Sequence, residues 1–180
     1  MNIILFGFKG CGKTYLGKLL SLRLKKLFID TDQRIEQCYA RQYEQLLSIR
    51  EIYQRLGEKA FRTLETQEIF QLQSDSDAVI AVGGGSLIDP RNLTHLKKVG
   101  QLVYLKTNFD VVKERILQGE IPSFVDAKNP IISLHQIYQE RVALFESIEA
   151  FSMDSSQLNT EEMIRQLSAM IFTKDACHGL

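Results

Sequence analysis

Asn2-Ile3-Ile4-Leu5-Phe6 runs directly into Gly7-Phe8-Lys9-Gly10-Cys11-Gly12-Lys13-Thr14, and a leucine-rich periodic segment follows to Lys26. The reading of this stretch decides the fold. A short apolar run without alternation fits a strand buried on both faces of a parallel sheet. Leu16, Leu19, Leu20 and Leu24 recur at helical spacing behind it, so Lys13 to Lys26 is expected to be an amphipathic helix. Between strand and helix, the glycines match G-x-x-x-x-G-K-[ST]. Glycines let successive backbone N–H groups converge into an anion nest, and the helix adds its positive end. Lys13 then reaches outer phosphates, and the Thr14 hydroxyl is placed for a magnesium ion. A chance match is the simpler alternative, but the strand–loop–helix context argues against it.

The rest of the chain repeats the alternation. Leu27–Asp30, Ala78–Val82, Gln101–Lys106 and Phe151–Asp154 read as strands. Helical patterns cover Thr31 to about Leu56 in two pieces with Ser48 as a cap, then Gly57–Gln73, Asp89–Val99 and Asn108–Leu117. Further helices are expected at Ser133–Ile148, opened by a Ser133-x-x-Gln136 capping box, and at Thr160–Phe172, with a loose tail behind. Gly119 to Pro130 reads as a loop. Strands alternating with helices imply an α/β domain, a parallel sheet with helices on both faces. Ligands bind such sheets at the carboxyl ends of the strands. A chain of 180 residues suits one such domain.

Composition narrows the function. There are 22 basic and 22 acidic residues, so there is no basic surplus of the kind a general nucleic-acid binder shows. No apolar run approaches a membrane span. The first apolar stretch is too short for a secretory signal and lacks a basic lead-in. Cys11, Cys38 and Cys177 are odd in number and scattered, which fits reduced cytoplasmic thiols better than disulfides or zinc. Cys11 lies at a helix N-terminus, where a thiol pKa can fall, but the loop's need for a small residue already explains it. His95, His135 and His178 have no metal-binding spacing and read as surface residues.

Three other clusters stand out. Asp30-Thr31-Asp32 ends the second strand; two carboxylates there repel unless a cation is near. A magnesium ion on Thr14 would be that cation, with Asp30 beside it and Asp32 facing an acceptor hydroxyl. A plain helix N-cap is the alternative. Gly83-Gly84-Gly85 follows the third strand, as a flexible turn or as backbone that a ligand approaches closely. Arg62 and Glu65 sit one helical turn apart, and an exposed ion pair is the simpler account. Arg141 falls on the apolar stripe of Leu134, Ile137, Tyr138, Leu144, Phe145 and Ile148. It snorkels, pairs with a carboxylate, or lines a cleft.

Taken together, GFKGCGKT (7–14), DTD (30–32), GEKAFRTLE around Arg62, AVGGGS around Gly84 and ERVALF around Arg141 resemble the shikimate kinase family. The resemblance runs from Met1 to about Asp154. It implies a P-loop NTPase-type sheet of five parallel strands in the order 2-3-1-4-5, in a three-layer α/β/α domain spanning 1–180. It implies ATP, Mg²⁺ and phosphorylation of the 3-hydroxyl of shikimate. On this reading Gly10, Cys11, Gly12, Lys13, Thr14 and Tyr15 bind ATP, and Thr14 and Asp30 serve the metal. Asp32 and Lys13 are the catalytic candidates, and Asp32, Arg62, Gly83, Gly84, Gly85 and Arg141 bind the acceptor. Residues 31–62 would form the shikimate-binding subdomain and 118–129 the lid, in a cytoplasmic monomer. Two departures stand out. Family members usually carry Arg-Pro-Leu in the lid, with the Arg on ATP phosphates; here Ile121 precedes Pro122, and Arg115 and Lys128 are the nearby cations. Near Asp154 an adenine-stacking Arg is usual, and Ser155-Ser156-Gln157-Leu158 has none. Other small-molecule P-loop kinases, such as gluconate kinase relatives, share the loop, and the carboxylate clamp with Arg62 separates them; the altered lid motivates a non-catalytic relative, against which intact Asp32, Lys13 and Thr14 argue.

Overall fold

The computed structural model describes residues 1–119, 121–126, 128–156 and 159–177. Its centre is β1 (Asn2–Phe6), buried along its whole length. Parallel pairing on both sides explains that burial: Ile4 is in register with Ile80 of β3 (Ala78–Ala81) and with Leu102 of β4 (Gly100–Lys106). β2 (Leu27–Asp30) and β5 (Phe151–Asp154) form the edges, giving the order β2-β3-β1-β4-β5. All four pairings are parallel, as the alternating pattern and the family resemblance required.

Successive side chains on a strand face opposite ways, and β1 feeds two cores. Ile3 and Leu5 pack with Leu16 and Leu20 of α1 (Lys13–Leu24) and Met163 and Leu167 of α7 (Thr160–Cys177). Ile4 and Phe6 face the other layer. There they meet Leu96 of α4 (Pro90–Val99), Val112 of α5 (Phe109–Leu117) and Phe145 of α6 (Pro130–Glu146). A third, smaller cluster joins α2 (Thr31–Tyr43) to α3 (Ile49–Phe70) through Ile35, Tyr39, Ile52 and Phe61. Ser48 caps α3 in a reciprocal box with Glu51. Gly57, at φ 73° and ψ 167°, breaks α3, where the sequence placed a helix boundary.

Four local expectations are corrected. α6 starts at Pro130, with Asn129 as its cap residue, and not at Ser133. Proline's fixed φ begins the helix without an orphan N–H; the Ser133 amide bonds to Asn129 O, and its hydroxyl accepts from the Asp126 amide instead. Ser86–Ile88 forms a short 3₁₀ turn after the glycines, which the periodicity did not reveal. His95 is half-buried, stacked on Phe70 at 4.7 Å with Nε2 3.1 Å from Leu72 O, whereas His135 is exposed as expected. α7 extends to Cys177, beyond the expected end at Phe172; His178 and the end of the tail lie outside the described residues. Among the described residues, no helix is long and apolar enough to cross a membrane.

One polar side chain fastens the amino end of the sheet. Asn2 is fully buried, donates to Gln73 O at 2.6 Å and Val99 O at 3.1 Å, and accepts from the Ala78 amide at 2.8 Å. It sets where β3 begins and where α4 hands over to β4. Asn2→Leu would bury those groups without partners, so urea denaturation should show a loss of about 2–3 kcal/mol.

Candidate active site

The carboxyl ends of β1, β2 and β3 open onto one cavity of about 650 Å³, within the usual range for a small-molecule site. The loop after β1 forms its floor. Gly10 and Gly12 adopt φ of 86° and 94°, so the loop curls back toward α1, whose first turn begins at Lys13. The Lys13 ammonium is buried and donates to Gly7 O at 2.9 Å and Phe8 O at 3.0 Å. It also lies 3.6 Å from Cys11 Sγ. The loop is pinned from behind, where Ser155 Oγ donates to Cys11 O at 3.1 Å. Tyr15 is largely exposed at the mouth.

The end of β2 supplies the acids. Asp30 accepts from the Thr14 hydroxyl at 2.8 Å through one oxygen and from the Asp32 amide at 3.0 Å through the other. It is thus both the cap of α2 and the partner of the loop threonine. Asp32 faces the cavity beneath the β3 loop. Burial first, then the like charges of Asp30 and Glu65, push its carboxyl up to about 6; Lys13 and Lys9 pull the other way.

Gly83, Gly84 and Gly85 sit where a side chain has no room. A Cβ on Gly83 would lie 2.8 Å from Asp32 Oδ1 and 2.9 Å from Glu65 Oε1. On Gly84 it would lie 2.9 Å from the Lys9 amide nitrogen, and on Gly85 2.6 Å from Arg62 Nη2. The triad therefore lets the β3 loop press against the phosphate loop and Arg62 together. Close approach, not flexibility, explains these glycines.

The remaining wall is cationic. Arg62 bonds Glu65 at 2.7 Å, and Glu65, 2% exposed, also accepts from the Ser86 hydroxyl at 2.7 Å. This is a half-buried, oriented pair, not the exposed one that spacing alone favoured. Its guanidinium lies over Phe61 and Tyr53, at 5.5 and 6.0 Å. Arg141 is buried on its apolar stripe, its carbon 4.4 Å from the Phe124 ring centre and 5.5 Å from that of Phe8. Its Nη1 donates to Gly84 O at 3.3 Å. Burial, then the neighbouring Arg62, pull its guanidinium down to about 10. Two cations close enough to repel, one of them desolvated, make a place that an anion relieves.

The structure thus brings every proposed site residue to one cavity: Gly10 to Tyr15, Asp30, Asp32, Arg62, Gly83 to Gly85 and Arg141 all line it. Arg115 also lines it, donating to Gly10 O at 2.8 Å, while Lys128 does not. Sequence reading missed Lys9, Arg50, Tyr53 and Phe124, which line it too. The one legible signal among them was a lysine inside the glycine-rich loop. Glu120, Gln157 and Leu158 lie outside the described residues.

Residues 9–172 match the family model described as shikimate kinase. The chain belongs to the shikimate kinase family. It is accordingly an ATP-dependent kinase that phosphorylates a hydroxyl of shikimate. The shikimate kinase of Thermodesulfovibrio yellowstonii is 32% identical over 166 residues, covering 92% of each chain. That of Alkaliphilus oremlandii is also 32% identical, over 168 residues covering 92% of this chain and 96% of the relative. Among solved structures, shikimate kinase from Acinetobacter baumannii in complex with shikimate superposes with a TM-score of 0.85 at 28% identity, covering 96% of this chain and 93% of that one.

Asp32 gives this shikimate kinase a pH signature. Its carboxyl titrates at about 6 when folded, against a reference value of 3.8. Between those values the folded state binds more protons than the unfolded one, so this group's contribution to stability falls as pH rises. Asp32→Asn should therefore be more stable than the parent at about pH 7.5, with the gap closing toward about pH 4. Urea unfolding of both proteins across that range measures it; a gap independent of pH would contradict the assignment.

Proposed function

We propose that the cavity moves the γ-phosphoryl group of ATP to the 3-hydroxyl of shikimate, with Asp32 as the base. The observation that carries this reading is the position of Asp32, between the phosphate-binding loop on one side and the Arg62–Arg141 pair on the other. Gly10, Cys11, Gly12, Lys13, Thr14 and Tyr15 hold the triphosphate, the backbone amides and the helix start facing its oxygens. Lys13 turns from the loop carbonyls to the outer phosphates. Arg62 and Arg141 clamp the acceptor's carboxylate, and the Gly83–Gly85 backbone lies against its ring. That fixes the ring so that a hydroxyl reaches Asp32. At neutral pH a carboxyl titrating at about 6 is mostly ionised, so Asp32 can take the hydroxyl proton as the new O–P bond forms.

Thr14 Oγ1 and Asp30, 2.8 Å apart at the mouth of the loop, are hard oxygen donors that suit Mg²⁺. They are too few to cage it alone, which fits an ion shared with ATP phosphates. Thr14 would ligate it and Asp30 would orient the hydroxyl and its waters. Bound there, the ion neutralises charge on the β- and γ-phosphates.

We read residues 31–62 as the shikimate-binding subdomain, supported by the separate Ile35–Tyr39–Ile52–Phe61 cluster. We read 118–129 as the lid, supported by Pro122, Ser123 and Phe124 at the cavity. Closure excludes water, which would otherwise consume ATP by hydrolysis. The same reading has a cytoplasmic monomer acting on these two small molecules.

The test is ADP release from ATP–Mg²⁺ with shikimate, gluconate, a nucleoside monophosphate or no acceptor. Release should depend on shikimate; dependence on another acceptor would replace the substrate assignment. Asp32→Asn should lower kcat by about 10²–10³-fold while ATP binding holds. Arg62→Ala should raise KM for shikimate far more than KM for ATP.

A further inference from the structure

Phosphoryl transfer develops charge on the three equatorial oxygens of the moving group, and positioned cations there lower the barrier. Six cationic side chains line the cavity: Lys9, Lys13, Arg50, Arg62, Arg115 and Arg141. Two of them have a place on the acceptor wall. Arg62 is held by Glu65 and Arg141 by Gly84 O and two aromatic rings, on the acceptor wall. Arg50 lines the cavity from the first turn of α3. Arg115 approaches from α5, lines the cavity and donates to Gly10 O at 2.8 Å. Lys13 serves the phosphates from within the loop.

Lys9 is exposed at the cavity, on a stretch of the phosphate loop that lies against the β3 loop. The position a Gly84 Cβ would take is 2.9 Å from its amide nitrogen and 3.4 Å from its Cα. Its neighbour Phe8 is the ring beneath Arg141. Its charge is also felt by the Asp32 carboxyl. Nucleotide floor, acceptor wall and base thus meet at this residue.

We infer that Lys9 is a catalytic residue that binds the transferring phosphoryl group from the acceptor side, opposite Lys13. The inference rests on the reading of Asp32 as the base. In the step, the bond from the γ-phosphorus to the bridging oxygen of ADP breaks, and a bond from phosphorus to the acceptor oxygen forms. The hydroxyl proton passes to Asp32. Lys9 stays protonated throughout and stabilises the charge spread over the equatorial oxygens.

Lys9→Met and Lys9→Arg test this, since an exposed side chain can be changed without disturbing the core. Lys9→Met should lower kcat by about 30- to 100-fold, with KM for shikimate and for ATP changed by less than about threefold. Lys9→Arg should recover most of the rate. Calorimetry gives a second readout: ADP, Mg²⁺ and aluminium fluoride with shikimate should bind Lys9→Met more weakly by a similar factor, while ADP alone binds as before. A Lys9→Met kcat within threefold of the parent overturns the role, as does a change confined to KM for shikimate. A parent enzyme inactive on shikimate overturns the acceptor assignment and this proposal together. An active parent with an unaffected variant overturns only Lys9.

Discussion

Three carboxylates, Asp30, Asp32 and Glu65, converge where β2 and β3 end, and much of the site is organised around keeping them there. Like charges at such range repel, and burial withdraws the water that would screen them. Each is held by a different device. Asp30 is fixed by the Thr14 hydroxyl and the first turn of α2. Glu65 is fixed by Arg62 and Ser86. Asp32 keeps a raised affinity for its proton, a state that costs the fold stability at neutral pH. The repulsion is local, and the well-packed sheet beneath carries it.

The topology makes that convergence unavoidable. With β1 at the centre and β3 beside it, the phosphate loop and the glycine triad leave adjacent strands in the same direction. β2 on the far side of β3 brings the aspartates to the same edge. The loops can then touch only if β3 ends in residues without side chains, and Gly83 to Gly85 meet that requirement. Arg141 arrives from α6, far along the chain. It holds its cation in an aromatic slot of Phe8 and Phe124. One slot wall therefore belongs to the loop after β1 and the other to the stretch before α6.

Much of this was legible in the sequence, because the signals were local. The glycine-rich loop needs only consecutive residues, and the strands are short apolar runs that a parallel sheet buries on both faces. Where local signals competed, the reading slipped. Ser133-x-x-Gln136 has the form of a capping box, but Pro130 starts the helix earlier. His95 looks like a surface residue until Phe70 is placed against it. Asn2 reads as one more strand residue, although it holds three segments together.

The sequence by itself determined the α/β pattern, the phosphate loop and the set of charged residues that resembles a kinase family. Spacing left Arg62 and Arg141 open, since a helix turn says nothing about what packs against it. Tertiary structure decided their surroundings, by burying Glu65 beneath Gly83 and by desolvating Arg141 between two rings. It also decided where Lys9 stands, because a loop lysine acquires meaning only from the wall it faces. Backbone patterns follow from neighbours in the chain; the charge on a side chain takes its value from neighbours in space.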